Sequence, residues 1–546
     1  MAISEPITDH AKNRKRRGRG IPIERLCNRF NRTAGFSPEQ LAPKNYLMKE
    51  KTMKKRNRKN VFVSAFALLL MLATVLICFA SCNNKKTPNK PEGTTPAQDE
   101  DNNITYPDYE GRKFRVMQRL DFENEFWAEG YNNNTINDAV YERNSLIESR
   151  YHVLMEVSSF IQGWGATEND SQFNDRLTVL MNSGEDAYDL VVGAQCYTLP
   201  FVMNDWFLDW NEIPNVDLES NVWRNGINDT MLINGRIGAI TGDIAITFWK
   251  HMSAIVFNPN MVRDVSERNI YDVVAGGDWT FEYMKELCED ISRDANGDGI
   301  WDGDDIYGFA SDWDVAMDAW AIALDAPSTR RNSEGWFDFT VADEKAISVG
   351  TALVDLFKSH LGYNYPGVDP SFYFRNRQAA FVPMRMEMIE RLADCDIDYG
   401  VIPYPKWNKD QEKYQTSIVD GVSMLFVPKM VPDAAFIGTI TQALAEESYK
   451  KVIPEYYDVV LKGRSTKDAQ SWEMLDLIRD NVVVDFGYIY HSYLDEAALS
   501  FRRVVGSMWN SVTGRDDVES VTTDWARRQS EAEKHLKELY DYYFKK

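Results

Sequence analysis

The stretches "RKFRVMQRL" (Arg112–Leu120) and "INDAVYERNSLIESRYHVLMEV" (Ile136–Val157) decide how this chain is to be read. The first reads as a strand. The second reads as a helix running into another strand, so together they open a βαβ unit. Outward from there, "RLTVLMNSG" (Arg176–Gly184) predicts a second helix and "AYDLVVG" (Ala187–Gly193) a short, nearly continuous apolar strand. Such a run suits a parallel sheet covered on both faces. "FLDWNEIP" (Phe207–Pro214) reads as a cap on a surface region, and "RIGAITGDIAITFWKHMSAIVFNP" (Arg236–Pro259) as strands around a Gly242–Asp243 turn. "DWTFEYMKELCEDIS" (Asp278–Ser292) predicts a helix with Thr280 as N-cap and Glu282 in the first turn. Its Phe281, Met284, Leu287, Cys288 and Ile291 share one face. Strands are expected at "IYGFAS" (Ile306–Ser311), "QAAFVPM" (Gln378–Met384), "DYGVIPYP" (Asp398–Pro405) and "GVSMLFVPK" (Gly421–Lys429). The C-terminal stretch, ending "TDWARRQSEAEKHLKELYDYYFKK", reads as mostly helical, and Trp509 within it as helix core. This alternation of strands and helices is that of an α/β protein.

With 546 residues and 44% hydrophobic content, the chain is long enough for two or three packed lobes. A formal net charge of -22 keeps it soluble and works against nucleic-acid and anionic lipid partners. The 15 Trp and 26 Tyr are core material, but they are also the usual platform for the flat apolar faces of sugars. Cys196, Cys288 and Cys395 are too far apart for a disulfide framework or a zinc site and read as small buried apolar residues.

The N-terminal region has the pattern of an export signal. A basic stretch, Lys54–Lys59, precedes an apolar run from Val61 to Phe79, which ends in Phe79-Ala80-Ser81-Cys82. Small residues before a cysteine resemble a bacterial lipobox, which would make residues 53–81 the signal peptide and Cys82 the lipidated N-terminus. Phe79 departs from the usual Leu. An uncleaved transmembrane anchor is the alternative, because the run is long. Either way the body is exported and tethered at the extracytoplasmic face of the cell membrane. Residues 1–52 then read as a start codon assigned too early, with a basic nucleic-acid-binding arm as the alternative. Residues 82–104 are polar and read as a disordered tether.

Five stretches in this order resemble the extracellular solute-binding proteins of carbohydrate ABC importers, the family 1, maltose-binding-like type. They are "NDAVYERNSLIESRYHV"; "YDLVVGAQC" with "FLDWNEIP"; "GRIGAITGDI"; the helix, acidic loop and "YGF" of 279–309; and "YGVIPYPKWNKDQEKYQT" running into "GVSMLFVP". The resemblance covers roughly 110–546. It implies two α/β lobes with a hinge and an interlobe cleft, in a periplasmic-binding-protein-like fold. Lobe one is expected at 105–246 plus 422–472 and lobe two at 250–420 plus 475–546, with crossings near Asp243–Phe248 and Asp420–Val422. It also implies a monomer served by separate permease and ATPase subunits.

"DANGDGIWDGDD" (Asp294–Asp305) matches a calcium loop. Asp294, Asn296, Asp298, Ile300 through its carbonyl, Asp302 and Asp305 fill the ligand positions, and Gly299 stands at the sharp turn. Asp305 departs from the usual bidentate Glu. An acidic turn without metal would look similar. No duplicate loop is present and a strand follows, so a structural calcium is expected rather than a sensor or a docking module.

Ligand in such a fold sits at the C-terminal ends of strands. The candidates are Trp127, Gln195, Asp243, Asp312, Trp313, Arg385 and Asp420. Carboxylates and amides suit hydroxyls, and an aromatic face suits C–H stacking. Each taken singly reads equally as a satisfied core residue. The function expected is therefore a membrane-tethered carbohydrate-binding subunit, not an enzyme. A secreted carbohydrate-active hydrolase is the alternative, since the carboxylate spacing that defines one is not visible in sequence. A calcium-dependent adhesion module fits less well with a single loop.

Overall fold

Among the described residues eleven strands carry the fold: β1 (Arg112–Arg119), β2 (Val153–Phe160), β3 (Leu190–Ala194), β4 (Ser253–Phe257), β5 (Tyr307–Ser311), β6 (Thr329–Arg331), β7 (Phe337–Phe339), β8 (Gly362–Asn364), β9 (Ala379–Arg385), β10 (Gly400–Ile402) and β11 (Ser423–Phe426). The longer helices are α1 (Thr135–Tyr151), α2 (Gln172–Ser183), α3 (Phe281–Ile291), α4 (Val315–Ala323), α5 (Glu344–Lys358), α6 (Ala434–Glu447), α7 (Ala469–Asp480), α8 (Ser500–Val512) and α9 (Val521–Lys545). The structure, a computed structural model, describes residues 105–163, 171–223, 226–311, 315–364, 371–466, 468–512 and 519–545. Cys82 and the apolar run Val61–Phe79 lie outside these. Among the described residues no helix is long and apolar enough to cross a membrane.

The opening βαβ unit forms as the sequence implies. β1 and β2 pair in parallel from Arg112–Val153 through Arg119–Phe160, and β3 flanks β1 on its other side, also parallel. α1 makes the crossover. Asn134 caps it by accepting from the amides of Ile136 and Asn137, and His152 ends it in the left-handed region at φ 46°. β11 closes this sheet antiparallel to β3, giving the order β11-β3-β1-β2. A second sheet has the order β10-β4-β9-β5-β8, with β5 parallel to its two neighbours. β6 and β7 form a separate hairpin.

Strands of the first sheet thus come from both sides of the segment that builds the second. The chain leaves after β3, completes β4 to β10, and returns at β11. Gly242–Asp243 does not form a turn between strands, as expected from sequence. Ile240 makes only an isolated bridge to Leu425, and a helical turn at Thr247–Lys250 precedes β4. A Cβ on Gly242 would lie 2.4 Å from the Val222 carbonyl oxygen, so close packing against 222–223 fixes this backbone. Trp210 in "FLDWNEIP" is buried rather than superficial, and its Nε1 donates to the Leu425 carbonyl at 3.1 Å. The expected boundary at 472–475 falls inside α7, which packs on β10 through a Ser471 hydroxyl accepting from Val401 N.

α3 starts at Thr280, whose side chain accepts from the Tyr283 amide, and the five apolar positions of its inner face are all buried. They join Phe257, Phe309, Phe381 and the buried face of α5 in one core. α3 lies almost directly on β5: a Cβ on Gly308 would stand 2.3 Å from Cys288 Cα, a backbone-level clash. Gly308→Ala should therefore destabilise the protein by about 1–3 kcal/mol, the usual cost of overpacking. Chemical denaturation measures it, and a neutral substitution would show that α3 does not pack this closely.

Candidate functional site

β1 ends at Arg119, and the loop that returns the chain to the first sheet ends at Gly421. The buried guanidinium of Arg119 joins them, donating from Nη2 to the Gly421 carbonyl at 2.6 Å. The same guanidinium lies 4.4 Å from the Phe122 ring centroid, and the His251 ring meets that phenyl edge-on at 5.4 Å. His251 is tied to the returning loop, because Val419 N donates to its carbonyl at 3.0 Å. β3 reaches the same place: Gln195 N donates to Val422 O and Cys196 N to Asp420 O.

The C-terminal helical region packs on this crossing. His491 Nε2 lies 2.9 Å from Asp420 Oδ2, close enough for an ion pair, although the rings and oxygens are not aligned as a well-formed hydrogen bond. Gln195 Nε2 donates to Ile489 O at 3.2 Å, and Ser492 Oγ donates to Cys196 O at 2.5 Å. Asp318 on α4 receives Tyr488 Oη and both Nε and Nη2 of Arg502. A set of charged side chains is therefore enclosed where the ends of β1 and β3 meet the C-terminal helices.

Its electrostatics follow from burial and neighbours. Burial alone would raise the Asp420 carboxyl, but His491, with Arg502 and Arg385, holds it below the usual carboxylate value. Burial drives the His251 imidazole well below its ordinary pKa, and Arg385, Arg119 and Lys250 add to the effect, so this ring is neutral. The cluster offers donors from guanidinium groups and acceptors from carboxylates and a neutral imidazole, an arrangement fitted to a polar ligand with hydroxyls.

Of the residues proposed from sequence, Gln195 and Asp420 lie together here, and Arg385 lies close enough to act on both Asp420 and His251. Arg385 also pairs with Glu387 at 2.7 Å. Asp243 belongs elsewhere. Its carboxylate is buried and accepts from Trp249 Nε1 at 2.9 Å. Trp127 stands 39% exposed on the connection after Phe126. Asp312 and Trp313 lie outside the described residues. The sequence reading missed Arg119, His251, His491, Asp318 and Arg502. Arg119 alone carried a signal, being the last residue of a strand already recognised.

The loop at Asp294–Asp305 has the expected backbone. Asp294 accepts from the amides of Gly297 and Gly299, both glycines have positive φ (73° and 77°), and an Arg293–Ile306 bridge closes the base. Asp305 is buried and accepts from Ala295 N and Asp302 N. The side-chain oxygens of Asn296, Asp298 and Asp302 likewise accept from amides two residues on. Among the described residues no group of three or more acidic, His or Cys side chains converges as a metal site would require.

No family model matches the sequence, and no curated protein is similar to it in sequence. Solved structures are similar in fold. A cyclic α-maltosyl-1,6-maltose binding protein from Arthrobacter globiformis aligns with a TM-score of 0.50 at 12% identity, over 78% of this chain and 99% of that one. An ABC substrate-binding protein from Listeria monocytogenes, in complex with cycloalternan, aligns at 0.48 and 12%, over 79% and 99%. A maltose-bound protein from T. maritima aligns at 0.47 and 13%, over 79% and 100%. The first of these, together with the two sheets and their shared crossings, establishes a two-lobed α/β binding-protein fold.

Asp243 provides a pH test. Burial raises its carboxyl to about 7 against the opposing Trp249 hydrogen bond. The folded protein thus holds this proton more tightly than the unfolded chain. Its contribution to stability is complete below the ordinary carboxylate pKa and is lost as pH rises through the folded value. Between about pH 4 and 7 the wild type should lose stability relative to Asp243→Asn, with a ceiling of roughly 4 kcal/mol. Denaturation curves that stay parallel across that range would overturn the assignment.

Proposed function

We propose that this protein is a carbohydrate-binding subunit of an ABC importer, binding its ligand between the two lobes and releasing it chemically unchanged. The observation that carries the reading is the enclosed polar cluster of Arg119, Gln195, His251, Asp420 and His491 at the crossing of the two sheets. Open α/β sheets bind ligands at such switch points. Relatives of the same fold whose names specify maltose-type or cyclic oligosaccharides support the choice of sugar.

In this reading the lobes close about a hinge at the crossings, and residues 105–246 with the segment from 422 up to α7 move against 250–420 with α7 and the helices that follow it. Cys82 carries the lipid after removal of residues 53–81, and residues 82–104 tether the body to the extracytoplasmic face of the membrane. Separate permease and ATPase subunits complete the importer, and the protein works as a monomer. A thermal-shift panel tests the ligand: one class of oligosaccharide should raise Tm, and neither reducing ends nor altered sugars should appear on incubation. Hydrolysis that disappears when a single Asp or Glu is neutralised would favour the alternative of a secreted carbohydrate-active hydrolase.

Calcium belongs to the proposal as a structural ion held by the oxygens of Asp294, Asn296, Asp298, Ile300, Asp302 and Asp305. The donor set and the two positive-φ glycines support it. The loop leads into β5 at the end opposite to α4 and Asp318, so the ion has no part in ligand binding in this reading. A chelator should lower Tm by several degrees and leave sugar affinity within about twofold. An unchanged Tm, read with calcium removed and restored, would eliminate the ion.

A further inference from the structure

Among the described residues two arginines are fully buried, Arg119 and Arg143, and they are treated very differently. Arg143 uses every guanidinium nitrogen: Nε and Nη2 donate to Asn144 Oδ1, Nη1 to Ser448 Oγ, and Nη2 also to Glu125 O. Arg119, 1% exposed, makes the single bond to Gly421 O, and its Nε and Nη1 have no hydrogen-bond partner. Its ion pair with Asp121 is long, at 3.8 Å. A buried guanidinium left in this state is costly, since each unmade bond forfeits the full desolvation of the group.

Its surroundings are unsatisfied in the same way. Both ring nitrogens of His251 lack partners, and so do Nε of Arg385, Oδ1 of Asp420 and Nδ1 of His491. Arg119 and His251 sit against the same phenyl ring of Phe122, and the loop 419–421 that holds both contains Asp420. Most of the other cations near it are already matched, Arg502 by Asp318 and Arg385 by Glu387. Arg119 is the member of the cluster without a close carboxylate, its nearest being Asp121 at 3.8 Å. Burial raises the Asp121 carboxyl despite the nearby Arg119, as expected of a pair too long to neutralise the arginine.

A neutral sugar would satisfy Asp420 Oδ1 and His251 but leave the buried Arg119 charge with only its long pair to Asp121. The open Nε and Nη1 of Arg119 lie on different edges of the guanidinium, so they offer two separate places: a carboxylate can be received at the terminal edge through Nη1, and a second acceptor at Nε. We infer that the ligand is an acidic saccharide of the uronic-acid type, whose ring carboxylate is received by Arg119 and whose hydroxyls are received by Asp420 and His251. This rests on the carbohydrate reading above and specifies its substrate class.

The test compares matched ligands on the purified wild-type protein by calorimetry. Di- to tetrasaccharides of galacturonate, glucuronate and mannuronate are each paired with their methyl esters and with the neutral sugars that carry a hydroxymethyl group instead. For at least one set the free uronate should bind at least tenfold more tightly than both neutral partners. Arg119→Gln should erase that preference to within about threefold, and Arg119→Lys should keep part of it. Neutral members binding as well as or better than the acids would overturn the inference while leaving the carbohydrate reading in place. If no saccharide of any set binds, both fall together. The wild-type comparison decides the matter even if neither variant folds.

Discussion

The antiparallel pairing of β11 with β3, from Ser423–Ala194 to Phe426–Val191, is the constraint on which the remainder of the molecule depends. β3 is buried along its whole length and has a neighbour on each side, so its free edge must be filled by a strand that arrives from far along the chain. That arrival carries the polypeptide back from the second sheet after β10. It places residues 418–422 beside the outgoing segment at 247–252. The two crossings are then stitched by buried polar groups: Ser423 N donates to Thr247 Oγ1, and Glu125 accepts from Thr247 N and the Ser423 hydroxyl. Backbone amides enclosed at such a junction require partners, and Glu125 supplies them from the loop after β1.

The same junction explains why charged residues are concentrated where the protein is most buried. Residues 418–422 run between β3, the end of β1 and the C-terminal helices, so every side chain there is removed from water. A buried charge survives only with compensation. Asp318 obtains it from Arg502 and Tyr488, and Asp485 on the neighbouring element from four donors in Ser328 and Thr329. Asp420 obtains part of it from His491. Arg119 obtains little. Groups in one cluster thus differ in how completely each is satisfied, a distinction that burial alone does not draw.

Local pattern made much of this fold legible and little of the cluster. α3 could be read from "DWTFEYMKELCEDIS" because its cap and its apolar stripe lie within one short window, and β3 from "AYDLVVG" because a strand buried on both faces has to be continuously apolar. Gln195 and Asp420 were found by their places at a strand end and a crossing. The Gly242–Asp243 segment misled, since its conformation is set by contact with Val222 and Trp223 rather than by strand pairing. His491 and Arg502 follow no local period or spacing. The partners of this network are distant in the chain, Arg119 and Gly421 being 302 positions apart, and only the return of β11 brings them into one place.

An overall charge of -22 sets the far field against an anionic ligand, while the cluster between the sheets holds one buried arginine without a close carboxylate. These two effects act at different distances. At roughly 0.1 M salt, surface charges are screened beyond about 10 Å, so the repulsion felt by a saccharide in solution is weak and acts mainly on its rate of arrival. Inside the cluster little water intervenes, and a carboxylate next to the open edge of Arg119 would gain an interaction that salt scarcely reduces. The acidic surface and the buried Arg119 are therefore compatible: the first keeps the protein dispersed, and the second would favour an anionic group once it had entered.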